Sequence, residues 1–186
     1  MSLCCLCDIM NCMAHIETLY FAGSDEILIQ IRLARISDAL ELKKLNDLFN
    51  GVQSNTVEMI ERSLEENKQE IVCVASQSGG NANKLVGFCC GQIIRSMCYS
   101  ILYGDITEFF VIEEYRCQDS VEARLIEQIE SEFDKRGVNH LHHIIGRDNL
   151  QMQELYCSLG YTNSSLSSYG SSSIMIFEKD TDSRIK

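Results

Sequence analysis

Residues 119–137, DSVEARLIEQIESEFDKRG, place Val121, Leu125, Ile129 and Phe133 four apart with charged residues between them. That spacing lays one apolar stripe along a helix, and the stripe must be buried against another layer. Gly137 stands where such a helix ends in a glycine cap. An apolar strand, ILYGDITEFFVI at 101–112, runs into this helix, and a second strand, HLHHIIG at 140–146, follows it. The junction, VIEEYRCQDSVEARLI at 111–126, is a strand-to-helix turn. Such a turn is a ready anion site, because the first helical N–H groups are unpaired and the dipole favours negative charge. Here the turn carries Asp119 and Glu122 and no glycine.

The remaining segments complete a layered domain. ILIQIRLARI (27–36) alternates and reads as a strand. Ser37 or Asp38 can cap a helix with Leu40, Leu42, Leu45, Leu48 and Phe49 as its apolar stripe, closed by Gly51. Asn55 or Thr56 opens a second helix over 55–68. IVCVASQ (71–77) and LVGFCCGQII (85–94) are strands joined by a hairpin turn, SGGNANK. DNLQMQELYCSLG is a helix ended by Gly160, a Ser-rich loop spans 163–173, and SIMIFEKD is the last strand. The order is strand, two helices, three strands, helix, strand, helix, strand. It predicts an α/β (α+β layered) domain: a mixed, largely antiparallel central sheet with helices on both faces. That domain spans 29–180, between a Cys-rich N-terminal extension (1–28) and a polar tail (181–186).

Composition narrows the function. A chain of 186 residues suits a single core. Its net charge of −11 disfavours nucleic acid and anionic membrane surfaces and favours cationic partners such as amines. Ten cysteines are scattered rather than paired by any disulfide pattern, and Cys89 and Cys90 are neighbours on one strand, facing opposite ways. These are thiols used as small hydrophobes in a reducing compartment. There is no apolar window long enough for a membrane span and no basic region before the first apolar residues, so a cytoplasmic protein is expected. With no proline, turns depend on glycine, asparagine and packing.

Val111, Tyr115, Arg116 and Leu125 keep the register of a strand ending in Val, an Arg-x-x-Gly-x-Gly loop and a helix with Leu four residues on. Asp119 and Val121 stand where the two glycines belong. Farther on, Asn149 is followed by Leu155-Tyr156 and Leu159-Gly160-Tyr161. In these features the chain resembles the GCN5-related N-acetyltransferases (GNAT family), over roughly residues 29–180, with a degenerate pyrophosphate loop. The resemblance implies an N-acetyltransferase moving an acetyl group from acetyl-CoA to a primary amine of a small molecule or peptide. A homodimer is expected on the same ground alone.

The resemblance also implies site residues. Backbone groups of Phe109, Phe110 and Val111 pair with the pantetheine arm as another strand would. Arg116, Cys117, Gln118, Asp119, Ser120 and Val121 form the pyrophosphate loop, and Asn149 bonds the cofactor. Tyr156 is the general acid toward the CoA sulfur, a role a phenol with a pKa near 10 can fill at neutral pH. Glu108 accepts the amine proton, directly or through water. Asp105 is a weaker competitor, three residues earlier and expected on the opposite face. Each residue also has a plain structural reading: FFV as core strand, Tyr156 packed on an inner helix face, Glu108 facing solvent, Arg116 an exposed arginine, and Asn149 a helix cap. Asp119, as a helix cap, competes for the same N–H groups that a pyrophosphate needs.

Two other readings stand beside the enzyme. The chain could be a non-catalytic acetyltransferase-like domain whose cofactor site has decayed and which binds a ligand or partner. The third reading is a metal-binding module on Cys4, Cys5, Cys7 and Cys12, but structural zinc sites use two short pairs and only one cluster exists. His140 and His142 share a strand face and His143 takes the other. No metal site is assigned to them.

Overall fold

The computed structural model describes residues 28–52, 54–78, 84–98, 100–116, 120–164 and 174–181. The Cys-rich extension up to residue 27, the tip of the SGGNANK turn, most of the Ser-rich loop, and Cys117, Gln118 and Asp119 lie outside the described residues.

Seven strands form one sheet: β1 (Leu28–Leu33), β2 (Glu70–Ser78), β3 (Lys84–Arg95), β4 (Leu102–Val111), β5 (His140–Gly146), β6 (Thr162–Asn163) and β7 (Ile174–Asp180). Their spatial order is β1-β2-β3-β4-β5-β7-β6. All pairs are antiparallel except β4 with β5. The mixed, largely antiparallel sheet expected from the segment order is therefore present. The two-residue β6 is too short for an alternation pattern to reveal it.

Helices cover both faces. α1 (Ala39–Asn50) and α2 (Val57–Glu66) lie on one, where Leu42 and Leu45 meet Val74, Leu85 and Phe88, flanked by Ile60 and Leu64. α3 (Val121–Asp134) and α4 (Leu150–Ser158) cover the other. The α3 stripe is fully buried: Val121, Leu125, Ile129 and Phe133 all reach zero exposure. Each such side chain contributes about 1.5–3 kcal/mol by leaving water. The close seating of α3 depends on glycines in the sheet. A Cβ at Gly91 would meet the Phe133 ring at 2.6 Å, and one at Gly104 would meet Leu141 at 2.8 Å and Phe133 at 2.9 Å.

One expected stripe is corrected. On α1 the buried residues are Ala39, Leu42 and Leu45, while Leu40, Leu48 and Phe49 are exposed. Residues 39, 42 and 45 share one helical side, and Leu40 and Leu48 fall outside the arc that one sheet can cover. Asp38 precedes α1 without capping it through its side chain. Instead it is buried and accepts from both terminal nitrogens of Arg32 (2.6 and 2.9 Å) and from the Arg35 amide (2.7 Å), tying β1 to the helix start. Thr56 does cap α2, its hydroxyl accepting from the Met59 amide at 3.3 Å.

Candidate functional site

β4 and β5 run parallel from Tyr103↔His140 to Ile106↔His143, and their pairing stops there. Beyond that point β4 continues to Val111 along β3, and β5 continues to Gly146 along β7. The two strands diverge, and beyond that point their edges are no longer paired with each other. A cavity of about 360 Å³ fills the wedge. Phe109, Phe110 and Val111 line it from β4, and His143, Ile144, Ile145 and Gly146 from β5. Backbone N–H and C=O groups on an open strand edge are obligatory hydrogen-bonding groups, so this edge suits a slender ligand carrying amides.

The divergence follows a bulge. Cys90 faces Glu108 and Gly91 faces Ile106, so Thr107 is an extra residue on β4. A bulge shifts the side-chain alternation by one. This corrects the face of Asp105. By simple alternation Asp105 and Glu108 are on opposite faces, but the inserted Thr107 brings both to the α1/α2 face. Burial, with the Glu108 charge adding to it, raises the Asp105 pKa, and the neighbouring His142 opposes both.

The start of α3 lies at one end of the cavity. Ser120, just before the helix, has φ 52° and ψ 37°, the left-handed region, and is the only non-glycine residue with positive φ among the described residues. Val121 is the first helical residue and wholly buried. The special conformation sits between the two positions that hold glycine in the family pattern. Arg116 lines the cavity, with Nε donating to the Val111 carbonyl at 3.0 Å, which holds its guanidinium beside the end of β4. Asn149 lines the far side and caps α4, its Oδ1 accepting from the Met152 amide at 3.2 Å. Its side-chain NH2 group is not used by that cap. Glu122, in the first turn of α3, is buried and also lines the cavity. Its carboxylate brings negative charge to the helix end where an anion would dock.

Tyr156 lies beneath this cavity rather than in its wall. It is fully buried, with its ring centroid 4.7 Å from His143 and 4.7 Å from Tyr161. Its hydroxyl has no hydrogen-bond partner among the described residues. Burial, reinforced by the nearby thiol, phenol and carboxylate groups, pushes its pKa well above the ordinary tyrosine value. It therefore holds its proton across the physiological range. His143 connects the two regions, lining the cavity on one side and packing on Tyr156 on the other. Burial lowers its pKa to about 4, so the imidazole is neutral, and its Nδ1 also lacks a partner among the described residues.

Glu108 opens onto a second cavity of about 210 Å³ on the α1/α2 face, shared with Glu70, Asn46, Asn55, Phe88 and Cys90. The Thr107 hydroxyl donates to one of its oxygens. Three rings stand between the cavities. Phe49 and Phe110 line the first and Phe88 the second, with centroids 5.5 Å (Phe49–Phe110), 6.0 Å (Phe49–Phe88) and 6.1 Å (Phe88–Phe110) apart. Thr107 borders the first cavity and Glu108 the second, so the central strand passes from one to the other within two residues.

The structure thus gathers Phe109, Phe110, Val111, Arg116 and Asn149 around one cavity, puts Ser120 and Val121 at the helix start beside it, and separates Glu108 and Tyr156 from it on different sides. Sequence reasoning put His143 on the strand face opposite His140 and His142 and noted Glu122 in the turn, but gave neither a place in the site, and it missed the β5 edge. A histidine alternating with Leu141 and Ile145 on a strand is the signal that could have flagged His143 as inward-facing. On the same sheet His140 pairs with Asp180, and His142 lies 3.6 Å from Glu178. Among the described residues no three such side chains are grouped as metal ligands, and no helix is long and apolar enough to cross a membrane.

No protein-family model matches the chain, and no curated protein matches it in sequence. Solved structures do. An acetyltransferase of the GNAT family from Streptococcus pneumoniae is 18% identical, with a TM-score of 0.67 over 83% of this chain and 100% of that one. Arabidopsis thaliana NAA60 in complex with a bisubstrate analogue is 16% identical, with a TM-score of 0.63 over 83% and 100%. The PaiA N-acetyltransferase from Thermoplasma acidophilum in complex with coenzyme A is 19% identical, with a TM-score of 0.60 over 82% and 99%. The fold of this chain is that of the GNAT acetyltransferases.

Proposed function

We propose that the chain is an N-acetyltransferase that takes its acetyl group from acetyl-CoA and passes it to a primary amine of a small molecule or peptide. The observation that carries this is the divergence of β4 from β5 after Ile106↔His143, which leaves two strand edges no longer paired with each other across a cavity. A pantetheine arm carries amides and is narrow, and it fits a place where a strand is missing. Bound there, acetyl-CoA supplies an activated acyl group.

The chain's residues then divide the work. The β4 edge at Phe109, Phe110 and Val111 holds the arm and lends N–H groups to the acyl oxygen as negative charge grows on it. Arg116 and the first amides of α3, together with the loop from Cys117 to Val121, receive the pyrophosphate. Asn149 offers its remaining amide group. Glu108, hydrogen-bonded to Thr107 where the central strand passes from the first cavity to the second, takes the proton from the amine. Tyr156 is the proton source for the sulfur: burial keeps it protonated, and His143, packed on it at 4.7 Å and lining the cavity, stands between it and the acyl site.

A second reading is supported by Glu122. A buried carboxylate beside a glycine-free loop opposes an anion, and helix-end charge effects are about 0.3–1 kcal/mol at exposed sites and up to about 2 in partly buried ones. That suits a domain whose cofactor site has decayed into a partner- or ligand-binding surface. Assay of acetyl transfer with Tyr156→Phe separates the two. The enzyme reading expects a fall in turnover with little change in cofactor affinity, and the decayed-site reading expects no turnover in either protein.

A further inference from the structure

The second cavity carries a charge pattern that the acetyl-transfer reading leaves open. Two carboxylates line it, Glu70 from β2 and Glu108 from β4, and no Lys, Arg or His among the described residues does. Both glutamates face the α1/α2 side, because Val72 is opposite Cys90 and Cys90 is opposite Glu108. Two strand spacings and two residues of rise set their Cα atoms about 12 Å apart. Between them lies the Cys90 thiol, whose pKa is raised first by burial and then by Glu108 and Glu70, so both charges act on the same small volume. Each carboxylate is already oriented: Ser63 Oγ donates to Glu70 Oε2 at 3.1 Å, and Thr107 donates to Glu108 Oε2. Neither forms an ion pair with a cationic side chain among the described residues.

Two further features limit the guest. Asn55 lines the cavity, and its Oδ1 is buried with no partner among the described residues, so the site has an acceptor in need of a donor. Leu42, Ile60, Leu64, Val72 and Phe88 give the cavity an apolar part for methylenes, beside the polar Asn46, Asn50, Asn55 and Ser63. At about 210 Å³ the space is below the range of roughly 300–1,000 Å³ usual for drug-sized ligands.

We infer that the acceptor is a linear aliphatic diamine, with its reacting amine at Glu108, its methylenes along the apolar surface and its distal ammonium at Glu70. The inference rests on the acetyl-transfer reading and deepens it. In the reaction the neutral proximal amine, at the Thr107–Glu108 step where the central strand borders both cavities, attacks the thioester carbonyl. The C–N bond forms, the C–S bond breaks, the amine proton passes to Glu108, and the leaving sulfur takes the proton of Tyr156. Glu70 does not touch the reacting atoms and sets specificity only.

The test is calorimetric titration of the full chain, without cofactor, using 1,5-diaminopentane and pentylamine, which share a five-carbon chain and differ by one terminal ammonium. The inference expects the diamine to bind at least tenfold more tightly, and Glu70→Gln to remove that preference by weakening diamine binding far more than pentylamine binding. Raising ionic strength from about 0.01 to 1 M, which shortens the screening length from about 30 to 3 Å, should shrink the preference in the unmodified protein. That measurement reads the same charge if Glu70→Gln does not fold. Equal affinity for the two amines, a preference that survives Glu70→Gln, or tighter binding of a dipeptide amide through its α-amine would overturn it. None of these touches the acetyl-transfer reading. That reading fails separately, if acetyl-CoA yields no acetylated product with any amine even where the diamine binds.

Discussion

Tyr156 carries a buried hydroxyl with no partner, and that sets two expectations of opposite sign. An unsatisfied buried polar group costs about 1–3 kcal/mol, so Tyr156→Phe should leave the urea midpoint unchanged or raise it. The same change removes the proposed proton donor and should lower turnover by about 10²-fold or more. Unchanged turnover would place the acid elsewhere. His143 predicts a pH dependence. Folded, it titrates near 4, while its ordinary value is 6.5. Below 6.5 the unfolded chain takes up a proton that the fold refuses, so stability falls as pH drops from 6.5 to 4, by about 3 kcal/mol in all. His143→Leu should flatten the melting temperature across that window, and an unaltered slope would contradict the burial argument.

At the scale of elements, the helix after β4 was legible because its stripe repeats every four residues and every member is buried. Asn149 and Thr56 were legible as caps because short polar side chains do that work wherever a helix begins. The bulge at Thr107 was not. Nothing in GDITEFFV marks an extra residue, and so Asp105 was assigned to the wrong face. The meaning of the missing glycines was also hidden. Val121 needs no glycine because it is already helical, and the left-handed residue is Ser120. Two substitutions check this. Val121→Gly loses a fully buried side chain and should cost about 2–4 kcal/mol, whereas Ser120→Gly relieves a left-handed residue and should shift stability by no more than about 1 kcal/mol. Gly104→Ala forces a methyl against Leu141 and Phe133 and should cost about 1–3 kcal/mol by denaturant unfolding. If Gly104→Ala is neutral, α3 is not seated as closely as those contacts require.

For the whole molecule, the architecture was legible from segment order, since three strands in a run followed by alternating helices and strands leave few ways to build one sheet. The two cavities were not, because each is made by residues distant in sequence: Phe49 with Phe110 and Asn149, Glu70 with Glu108. They meet at the Phe49–Phe88–Phe110 wall, and the central claim is that acetyl-CoA occupies the one between β4 and β5. The most direct measurement is a calorimetric titration of the full chain with acetyl-CoA at modest salt. The account predicts saturable one-to-one binding that weakens when Arg116 is changed to Ala. Absence of any heat up to millimolar acetyl-CoA would contradict it.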